Sequence, residues 1–378
     1  VIPGGFRMDG GYEDIVPILS VADACGGSVP PLYGTDNRFA RYEVVKGDPD
    51  GAFAEAARIV ESAHHTGYQE HVYIEPQGFI GLTEADGKVA VHGSMQCPYY
   101  VKNALIQGLG CAPEKVRVIQ TTTGGAFGGK EEYPSLLAGH VAFAALKTGK
   151  PVQLLLERSE DIIASTKRHP AAFRYRTALD ARGRITAMDV EIDLDGGAYA
   201  GLSSVVLQRA IFAASGIYGI GNLRVKGQVL ATNTVPTGAF RGFGAPQAFF
   251  AIEMHMERIA AELGVEPLEF KLSHALRQGD ETSTGGHIWQ AVKLPEMVEL
   301  IERMSGYTRK RSEIAQHDNG GVRRRRGIGL SLFFHGCGFT GSGEQSVIKG
   351  RVTLVKQPNG QVEILVSSTE MGQGPQTT

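Results

Sequence analysis

Several features that define other classes of protein are scarce or missing in this 378-residue sequence. Its four cysteines lie far apart and form no C-x-x-C pair, which excludes a local zinc or iron–sulfur motif and argues against a disulfide framework. No apolar run approaches the ~18 residues of a membrane span, and no apolar signal segment opens the chain. The 38 basic and 40 acidic residues nearly balance, so nothing favours a nucleic-acid partner or an anionic membrane. We therefore expect a cytoplasmic protein without membrane insertion or nucleic-acid binding.

Glycine, in contrast, is abundant. The sequence contains 50 glycines but only 17 prolines, and the glycine share is roughly twice the usual ~7%. Because 42% of the residues are hydrophobic, the chain can form a folded core and is not a low-complexity sequence. We interpret the glycines as places where the backbone approaches other groups closely.

The apolar periodicity predicts an α+β fold. Helical spacing predicts helices over residues 52–63, 99–109, 135–146, 247–263 and 295–304. Alternating residues predict two antiparallel strands joined by a turn, over residues 173–179 and 185–195. Further strands are predicted over residues 72–74, 88–92, 116–120, 152–156, 328–334, 351–355 and 362–367. His64 and His65 follow the first predicted helix and are interpreted as exposed loop residues, because no third ligand shares their spacing.

Composition divides the chain into three parts. Residues 1–40 are rich in glycine and proline and predict an extended arm or linker. Residues 41–310 predict a first domain, and residues 326–378 predict the start of a second one. The chain begins with valine and stops shortly after a predicted strand, so we expect it to be a split or incompletely represented part of a larger protein.

Three glycine-rich loops carry the candidate chemistry. Loop 1, residues 124–130 (GGAFGGK), has the spacing of a P-loop, but Glu131 follows where Mg²⁺ coordination needs a hydroxyl group. Loop 2, residues 238–244 (GAFRGFG), adds the cation of Arg241. Loop 3, residues 370–374 (EMGQG), offers an amide between glycines. Together the loops predict a large polar cofactor that is held mostly through backbone atoms.

These three loops, in this order, resemble the motifs of the molybdenum hydroxylases, the xanthine dehydrogenase and aldehyde oxidase family, in their large molybdopterin-binding subunit. Segments 69–75, 94–98, 167–170 and 208–210 add to the resemblance, which spans roughly residues 40–378. The resemblance implies molybdopterin-binding domains of mixed helices and strands, a first one over residues 41–310 and an incomplete second one over 326–378.

The resemblance also implies roles for individual residues. The cofactor-binding positions are Gln96, Gly125, Phe127, Gly128, Phe240, Arg241, Gly372 and Gln373. Among them, Gln96, Phe127 and Arg241 would contact the metal centre, with the Gln96 amide bonded to an oxo ligand of molybdenum. The substrate-binding positions are Glu131, Arg209, Phe243, Phe339 and Thr340.

Elementary chemistry agrees with these substrate positions. A flat heteroaromatic ring requires aromatic faces and a few placed polar groups. Arg209 can stabilise negative charge on a substrate oxygen, and Glu131 can share a ring proton. Taken alone, Glu131 would be a carboxylate in the first turn of a helix, and the presence of Arg209 favours the substrate role.

The activity implied by the resemblance is hydroxylation of an N-heterocycle of the xanthine or purine type with water-derived oxygen. The implied cofactor is molybdenum–molybdopterin, in a pterin dinucleotide form, with Fe–S and FAD groups on partner chains or domains. Two alternatives use the same chemistry: an aldehyde oxidoreductase and a nicotinate-type hydroxylase subunit. An alternative of another class is a non-catalytic cofactor-binding or assembly chain.

One motif of the family, the one with the general-base Glu, is not found after loop 3 in this sequence. The general-base Glu of these enzymes lies in a G-x-G-E motif near the end of the subunit, whereas this sequence ends at Thr378. We therefore expect no catalytic residue on this chain. The expected partners are the remaining molybdopterin-binding half, an Fe–S subunit and a FAD subunit, with a small heterocycle as substrate.

Overall fold

A computed structural model describes residues 15–27, 29–318, 324–335, 351–375 and 377. The helices within this part of the chain are α1 (Val21–Gly26), α2 (Pro49–Ala54), α3 (Pro98–Leu109), α4 (Pro134–Thr148), α5 (Arg158–Ala164), α6 (Ser203–Ala213), α7 (Ala245–Leu263), α8 (Pro267–His274), α9 (Leu294–Ser305) and α10 (Tyr307–Asp318). The strands are β1 (Arg38–Lys46), β2 (Arg58–Thr66), β3 (Gly78–Thr83), β4 (Val89–Gly93), β5 (Val116–Gln120), β6 (Val152–Leu155), β7 (Ala171–Leu179), β8 (Ile185–Asp195), β9 (Asn222–Leu230), β10 (Val352–Lys356) and β11 (Val362–Val366). The predicted α+β class is confirmed.

The larger structural unit is a five-stranded mixed sheet in the order β1-β9-β8-β7-β2. Strands β8 and β9 run parallel and the other neighbours run antiparallel. Helices α6 and α7 pack on one face and bury side chains such as Phe173, Val190 and Leu207. Burying a side chain of this size stabilises the fold by roughly 1.5–3 kcal/mol. The opposite face carries rows of ion pairs, such as Arg174 with Glu191, that keep it in contact with water.

The smaller unit is a four-stranded sheet in the order β5-β4-β3-β6, covered by α3 and α4. Its core contains Phe79, Val91 and Leu105, all nearly or fully buried. Helix α4 begins with Pro134, whose fixed φ suits a first turn. It is followed by Gly149, which adopts a left-handed φ of 63°. The predicted helices over 99–109 and 135–146 are therefore confirmed.

Loops 1 and 2 leave different units. Loop 1 joins β5 to α4 in the smaller unit, and loop 2 lies between β9 and α7 in the larger one. Because no strand pairs the two units within the described residues, the loops meet through the packing of one unit against the other. The candidate site therefore depends on tertiary structure.

Two sequence predictions at the start of the larger unit are wrong. The helix predicted over residues 52–63 ends at Ala54, and the chain continues as strand β2. Strand β2 pairs along its whole length with β7, from Arg58 opposite Leu179 to Thr66 opposite Ala171. This pairing overrides a weak local helical preference. The two adjacent histidines therefore lie in a strand and not in a loop.

Two further predicted strands are also absent from the described residues. Residues 72–74 form no strand, and neither do residues 328–334. In the second segment, side chains of the larger unit bind the backbone groups that a neighbouring strand would otherwise bind. The Leu332 N–H donates to Glu253 Oε2 at 2.9 Å, and the Leu330 carbonyl accepts from Lys271 Nζ at 3.2 Å.

The predicted C-terminal strands form a separate hairpin. Strands β10 and β11 pair antiparallel, with Val352 opposite Val366 and Leu354 opposite Ile364. These four side chains share one face and are between 54% and 65% exposed. No described helix is long and apolar enough to cross a membrane.

Candidate active site

Loop 1 is held at both ends by one carboxylate. Glu75 Oε2 accepts from the Gly124 N–H at 2.7 Å and from Lys130 Nζ at 2.7 Å. The Lys130 side chain is fully buried and also donates to Ser94 Oγ at 3.0 Å. In a P-loop this lysine would reach the nucleotide phosphates. Because the Lys130 ammonium is bound to protein groups, the structure agrees with the rejection of a P-loop.

Loops 1 and 2 contact each other backbone to backbone. Gly128 has a φ of 103°, and a Cβ at this position would lie 2.6 Å from the Ala239 carbonyl oxygen. Both the φ and the close approach therefore require glycine. The Arg241 N–H donates to the Phe127 carbonyl at 2.9 Å, while the Phe127 side chain is 47% exposed. The structure thus brings together two of the predicted metal contacts.

Gln96 lies between β4 and α3 and directs its side-chain amide at loop 1. Its Oε1 accepts from the Gly128 N–H at 2.8 Å, and its own N–H donates to the Lys130 carbonyl at 2.7 Å. Because the Gly128 N–H can only donate, the amide oxygen must face the loop and Nε2 must face away. Among the described residues no acceptor bonds this Nε2. A free donor beside two glycine loops fits a group with oxygen acceptors, such as an oxo ligand of molybdenum.

Three predicted substrate residues from distant parts of the chain lie near one another. Glu131 follows loop 1, Arg209 lies on α6 and Phe243 lies in loop 2. The Arg209 guanidinium carbon is 5.5 Å from the centre of the Phe243 ring, a cation–π distance. The positive charge of Arg209 also acts on the Glu131 carboxyl and favours its ionised form.

Glu131 is only 6% exposed. Burial raises its pKa to about 7, the charge of Glu132 adds to this rise, and Arg209 opposes it. Helix α4 begins three residues later, without a side-chain cap, so Glu131 lies outside the first turn that its position suggested. A carboxyl with this pKa can both donate and accept a proton near neutral pH.

Glu132 is a site residue that sequence reasoning missed. Burial raises its pKa to about 7, while hydrogen bonds from the backbone N–H groups of Ala239 and Leu202 oppose the rise. Two glycines leave room for this carboxylate: a Cβ on Gly201 or Gly238 would lie 2.6 or 2.8 Å from one of its oxygens. Glu132 thereby joins loop 1 to loop 2 and to the start of α6. No pattern in the sequence distinguished it from an ordinary surface carboxylate.

Loop 3 is closed by its own side chains. Glu370 Oε1 accepts from the Gly372 N–H at 2.6 Å and from the Gly374 N–H at 3.3 Å. The Gln373 amide accepts from the Met371 N–H at 2.9 Å and donates to the Thr369 carbonyl at 2.8 Å. The predicted cofactor contacts Gly372 and Gln373 are therefore engaged within their own loop in this structure.

A cleft of about 1050 Å³ separates α3 and β5 from the β10–β11 hairpin. Gln96 and Gln120 line one side, and Thr369, next to loop 3, lines the other. The Gln120 amide also donates to the Glu370 carbonyl at 3.3 Å. The cleft is slightly larger than the ~300–1,000 Å³ typical of small-ligand sites. It therefore connects the predicted metal contact to loop 3 and can hold a large cofactor.

The remaining predicted positions divide into two groups. Gly125 and Phe240 lie in loops 1 and 2, beside the contacts described above. Phe339 and Thr340, predicted to face the substrate, lie outside the described residues.

Two family profiles match this chain. A family profile described as "Molybdopterin cofactor-binding domain" matches residues 33–274, and a second profile with the same description matches residues 300–378. The first match includes loops 1 and 2, and the second includes loop 3.

Two relatives illustrate the similarity. The chain is 34% identical over 288 residues to the nicotinate dehydrogenase large molybdopterin subunit of Eubacterium barkeri, covering 76% of this chain and 67% of that subunit. It is 30% identical over 371 residues to the xanthine dehydrogenase of Emericella nidulans, covering 97% of this chain and 26% of that protein.

Solved structures share the fold. The aldehyde oxidoreductase of Desulfovibrio gigas superposes with a TM-score of 0.74 at 28% identity, covering 82% of this chain and 34% of that one. The quinoline 2-oxidoreductase of Pseudomonas putida 86 superposes with a TM-score of 0.83 at 22% identity, covering 96% of this chain and 48% of that one.

The chain belongs to the molybdenum hydroxylase family and carries molybdopterin cofactor-binding domains. The family and the molybdenum–molybdopterin cofactor that the resemblance implied are therefore confirmed. The chain spans about a quarter of the xanthine dehydrogenase and two thirds of the nicotinate dehydrogenase subunit to which it is similar.

Proposed function

We propose that this chain is the molybdopterin-binding part of a hydroxylase that oxidises an N-heterocycle of the xanthine or purine type. The observation that carries the proposal is the meeting of Glu131, Arg209 and Phe243. An aromatic face, a cation and a proton-sharing carboxyl are the groups that a flat ring with N–H and C=O substituents requires. A simple aldehyde has no ring proton for the carboxyl to share.

The cofactor would be held by loops 1, 2 and 3 together with Gln96. We assign this role to Gln96, Gly125, Phe127, Gly128, Phe240, Arg241, Gly372 and Gln373. When bound, the cofactor supplies two-electron oxidation of a ring carbon with oxygen derived from water. The Nε2 donor of Gln96 would bond one of its oxygen atoms, because the Gly128 N–H holds the other end of the amide.

The residues of this chain would bind and orient the ring. Phe243 provides an aromatic face, and the Arg209 guanidinium, held over that ring, stabilises negative charge that develops on a substrate oxygen. Glu131 exchanges a proton with a ring nitrogen, a transfer that its pKa of about 7 permits near neutral pH. Phe339 and Thr340 complete the substrate-binding set in this proposal.

The proposed enzyme acts as part of a larger complex. Its partners would be an Fe–S chain, a FAD chain and the remaining molybdopterin-binding half, which would supply the general-base Glu. A pterin dinucleotide is the proposed cofactor form. Residues 41–310 and 326–378 are the proposed first and second cofactor-binding domains, preceded by an arm over residues 1–40.

A nicotinate-type hydroxylase is the second candidate. It is favoured by the similarity to the nicotinate dehydrogenase subunit, of which the chain covers two thirds. Nicotinate is also a flat N-heterocycle, so the same three residues would orient it. Its carboxylate would pair with the Arg209 cation.

The proposal is tested in the complex purified with its partner chains. Arg209→Met should lower kcat/KM for xanthine by about 30- to 1,000-fold, the cost of losing one donor to a developing negative charge. Benzaldehyde, assayed beside it, should lose less than tenfold. The exposed α7 residue Arg258, replaced by Met, serves as the control and should leave both rates unchanged.

Three outcomes would contradict the proposal. Equal losses on xanthine and benzaldehyde would make Arg209 a structural residue. Turnover of nicotinate without turnover of xanthine would favour the second candidate. Tight molybdenum binding without any turnover would favour a non-catalytic cofactor-binding or assembly chain.

A further inference from the structure

Two buried side chains bind the carbonyl groups on either side of Phe240 in loop 2. His71 Nε2 donates to the Ala239 carbonyl oxygen at 2.7 Å. The Arg168 guanidinium donates to the Arg241 carbonyl oxygen at 3.1 Å. Both side chains thus end on the backbone of loop 2, next to residues with proposed cofactor contacts.

The same two side chains also stack on the Phe240 ring. The His71 and Phe240 ring centres are 4.3 Å apart, with 25° between the ring planes. The Arg168 guanidinium carbon lies 3.9 Å from the centre of that ring. Phe240 is therefore restrained through its backbone and through its side chain by the same two residues.

His71 contacts loop 1 as well as loop 2. A Cβ on Gly129 would lie 2.8 Å from the Cγ atom of His71, so loop 1 runs directly against the imidazole. The imidazole thereby lies between Gly129 of loop 1 and Phe240 of loop 2. Any change in its position would alter the distance between the two loops.

The protonation states suit these contacts. Burial lowers the pKa of His71 to about 4, so near neutral pH the ring is neutral and carries one N–H. That N–H is on Nε2, because the Ala239 carbonyl can only accept a hydrogen bond. Burial lowers the pKa of Arg168 to about 10, which leaves the guanidinium cationic. Arg168 is itself oriented by a hydrogen bond to Gln69 Oε1 at 2.5 Å.

We propose that His71 and Arg168 are positioning residues, which hold loop 2 against loop 1 and so place Arg241 and Phe243 for the reaction. The roles of those two residues in catalysis rest on the proposed function. The contacts of His71 and Arg168 with the loops do not depend on it.

The first test measures backbone amide exchange in the cofactor-free, full-length chain. The reporter is the Arg241 N–H, which bonds to the Phe127 carbonyl and so joins loop 2 to loop 1. His71→Phe keeps an aromatic ring but removes the donor, and His71→Gln keeps a donor near the Nε2 position. We expect exchange about fivefold faster in His71→Phe, because a typical hydrogen bond is worth ~1 kcal/mol. His71→Gln should recover most of the protection.

Arg168 provides an independent pair of variants. Arg168→Met removes the cation and its three side-chain hydrogen bonds, to Gln69, Gln247 and the Arg241 carbonyl. Arg168→Lys keeps a cation without the planar fork. We expect Arg168→Met to accelerate Arg241 exchange by about tenfold and Arg168→Lys by less. If His71→Phe fails to fold, this pair gives the same information.

The matched control is His255, another fully buried histidine. Its ring stacks on Tyr175 at 4.9 Å and bonds to Ser62 and Thr177, without contact to loops 1 and 2. His255→Gln should lower global stability and leave Arg241 exchange unchanged. If His71→Phe accelerates Arg241 exchange no more than His255→Gln does, His71 is an ordinary core residue and the proposal fails.

The second test uses the enzyme assembled with its partner chains and cofactor. His71→Phe should lower kcat for the heterocycle by at least tenfold at unchanged molybdenum content, and His71→Gln should restore most of it. A loss of molybdenum in proportion to activity would contradict a positioning role. Failure of the wild-type complex to oxidise any heterocycle would refute the proposed function and leave the exchange result standing.

Discussion

Loops 1 and 3 are both glycine-rich segments that follow a strand, yet different kinds of hydrogen bond hold their shapes. Loop 1 is fixed by a residue outside the loop. Glu75, 49 residues before Gly124, binds both the Gly124 N–H and the side-chain ammonium of Lys130. Loop 3 is closed from inside by Glu370, its own first residue, which accepts from two of its N–H groups. The two loops therefore have similar composition and different sources of rigidity.

This difference has a consequence for cofactor binding. The shape of loop 1 is determined by the buried contacts of the smaller unit before any ligand arrives. The shape of loop 3 depends on a few exposed hydrogen bonds, each worth only ~0.5–1.5 kcal/mol. We therefore expect loop 1 to be preorganised and loop 3 to exchange its internal hydrogen bonds for cofactor contacts at low cost.

The largest expected effect is that of Glu75→Ala. This change leaves the fully buried Lys130 ammonium without its carboxylate, and an uncompensated buried charge typically costs ~3–5 kcal/mol. Urea unfolding of the chain measures the loss. Glu370→Ala is the matched change in loop 3 and should cost ~1 kcal/mol or less, so similar losses for both variants would remove the distinction between the loops.

Glycine replacement should give the next largest effect. Gly128 and Gly372 have similar positive φ values of 103° and 111°, but only Gly128 has backbone atoms where a Cβ would lie. Gly128→Ala adds overpacking to backbone strain and should cost ~2–4 kcal/mol. Gly372→Ala carries the strain alone and should cost ~1–2 kcal/mol. Equal shifts in the urea midpoint would contradict this interpretation.

The pH dependence of stability should reveal the buried carboxyl after loop 1. The pKa of Glu131 is raised from 4.5 to about 7 in the folded chain, so between these values the folded state binds more protons than the unfolded state. Stability should therefore fall as pH rises from about 4.5 to 7, by up to ~3 kcal/mol for this residue.

Glu131→Gln removes this contribution and should flatten the pH profile of the unfolding free energy between pH 5 and 7.5. Glu132 keeps its own raised pKa in this variant, so part of the slope should persist. The exposed α9 residue Glu299, replaced by Gln, is the control and should leave the profile unchanged. A profile unaffected by Glu131→Gln would show that this carboxyl is not strongly desolvated.

The smallest effects are expected from the two amides. Gln96→Ala leaves the buried Gly128 N–H without its acceptor and should cost ~1 kcal/mol in the cofactor-free chain. Gln373→Ala removes two exposed hydrogen bonds in loop 3 and should stay within ~0.5 kcal/mol of the wild type. Thermal melting of both variants checks this order of stability losses. A larger loss of stability for Gln373→Ala than for Gln96→Ala would contradict it.

The sequence was most informative where local physics decides. Alternation over residues 173–179 and 185–195 predicted the β7–β8 pair, and the apolar spacing of α3, α4, α7 and α9 predicted those helices. It failed for β2, whose strand structure comes from pairing with β7, more than 100 residues further along the chain. It failed again for residues 328–334, where Glu253 and Lys271 bind backbone groups that a sheet would otherwise satisfy.

The family and the candidate site followed from the sequence because short motifs carry them in a fixed order. Loops 1, 2 and 3 each combine glycines with one characteristic side chain, and such combinations are recognisable without knowing how the chain folds. Gln96, Arg209 and Phe243 could be proposed as site residues in the same way. The tertiary structure alone revealed Glu132, His71 and Arg168 as residues that join the loops.

The physical reason is the range of the interactions. Motif, turn and helix signals act over a few residues, so the sequence by itself determined the α+β class, four of the ten described helices and the family. The site depends on contacts between distant segments: Gly128 against Ala239, and His71 between loop 1 and loop 2. Burial raises the pKa of Glu131, and the Gly128 N–H fixes the direction of the Gln96 amide. Only the tertiary structure could decide these contacts.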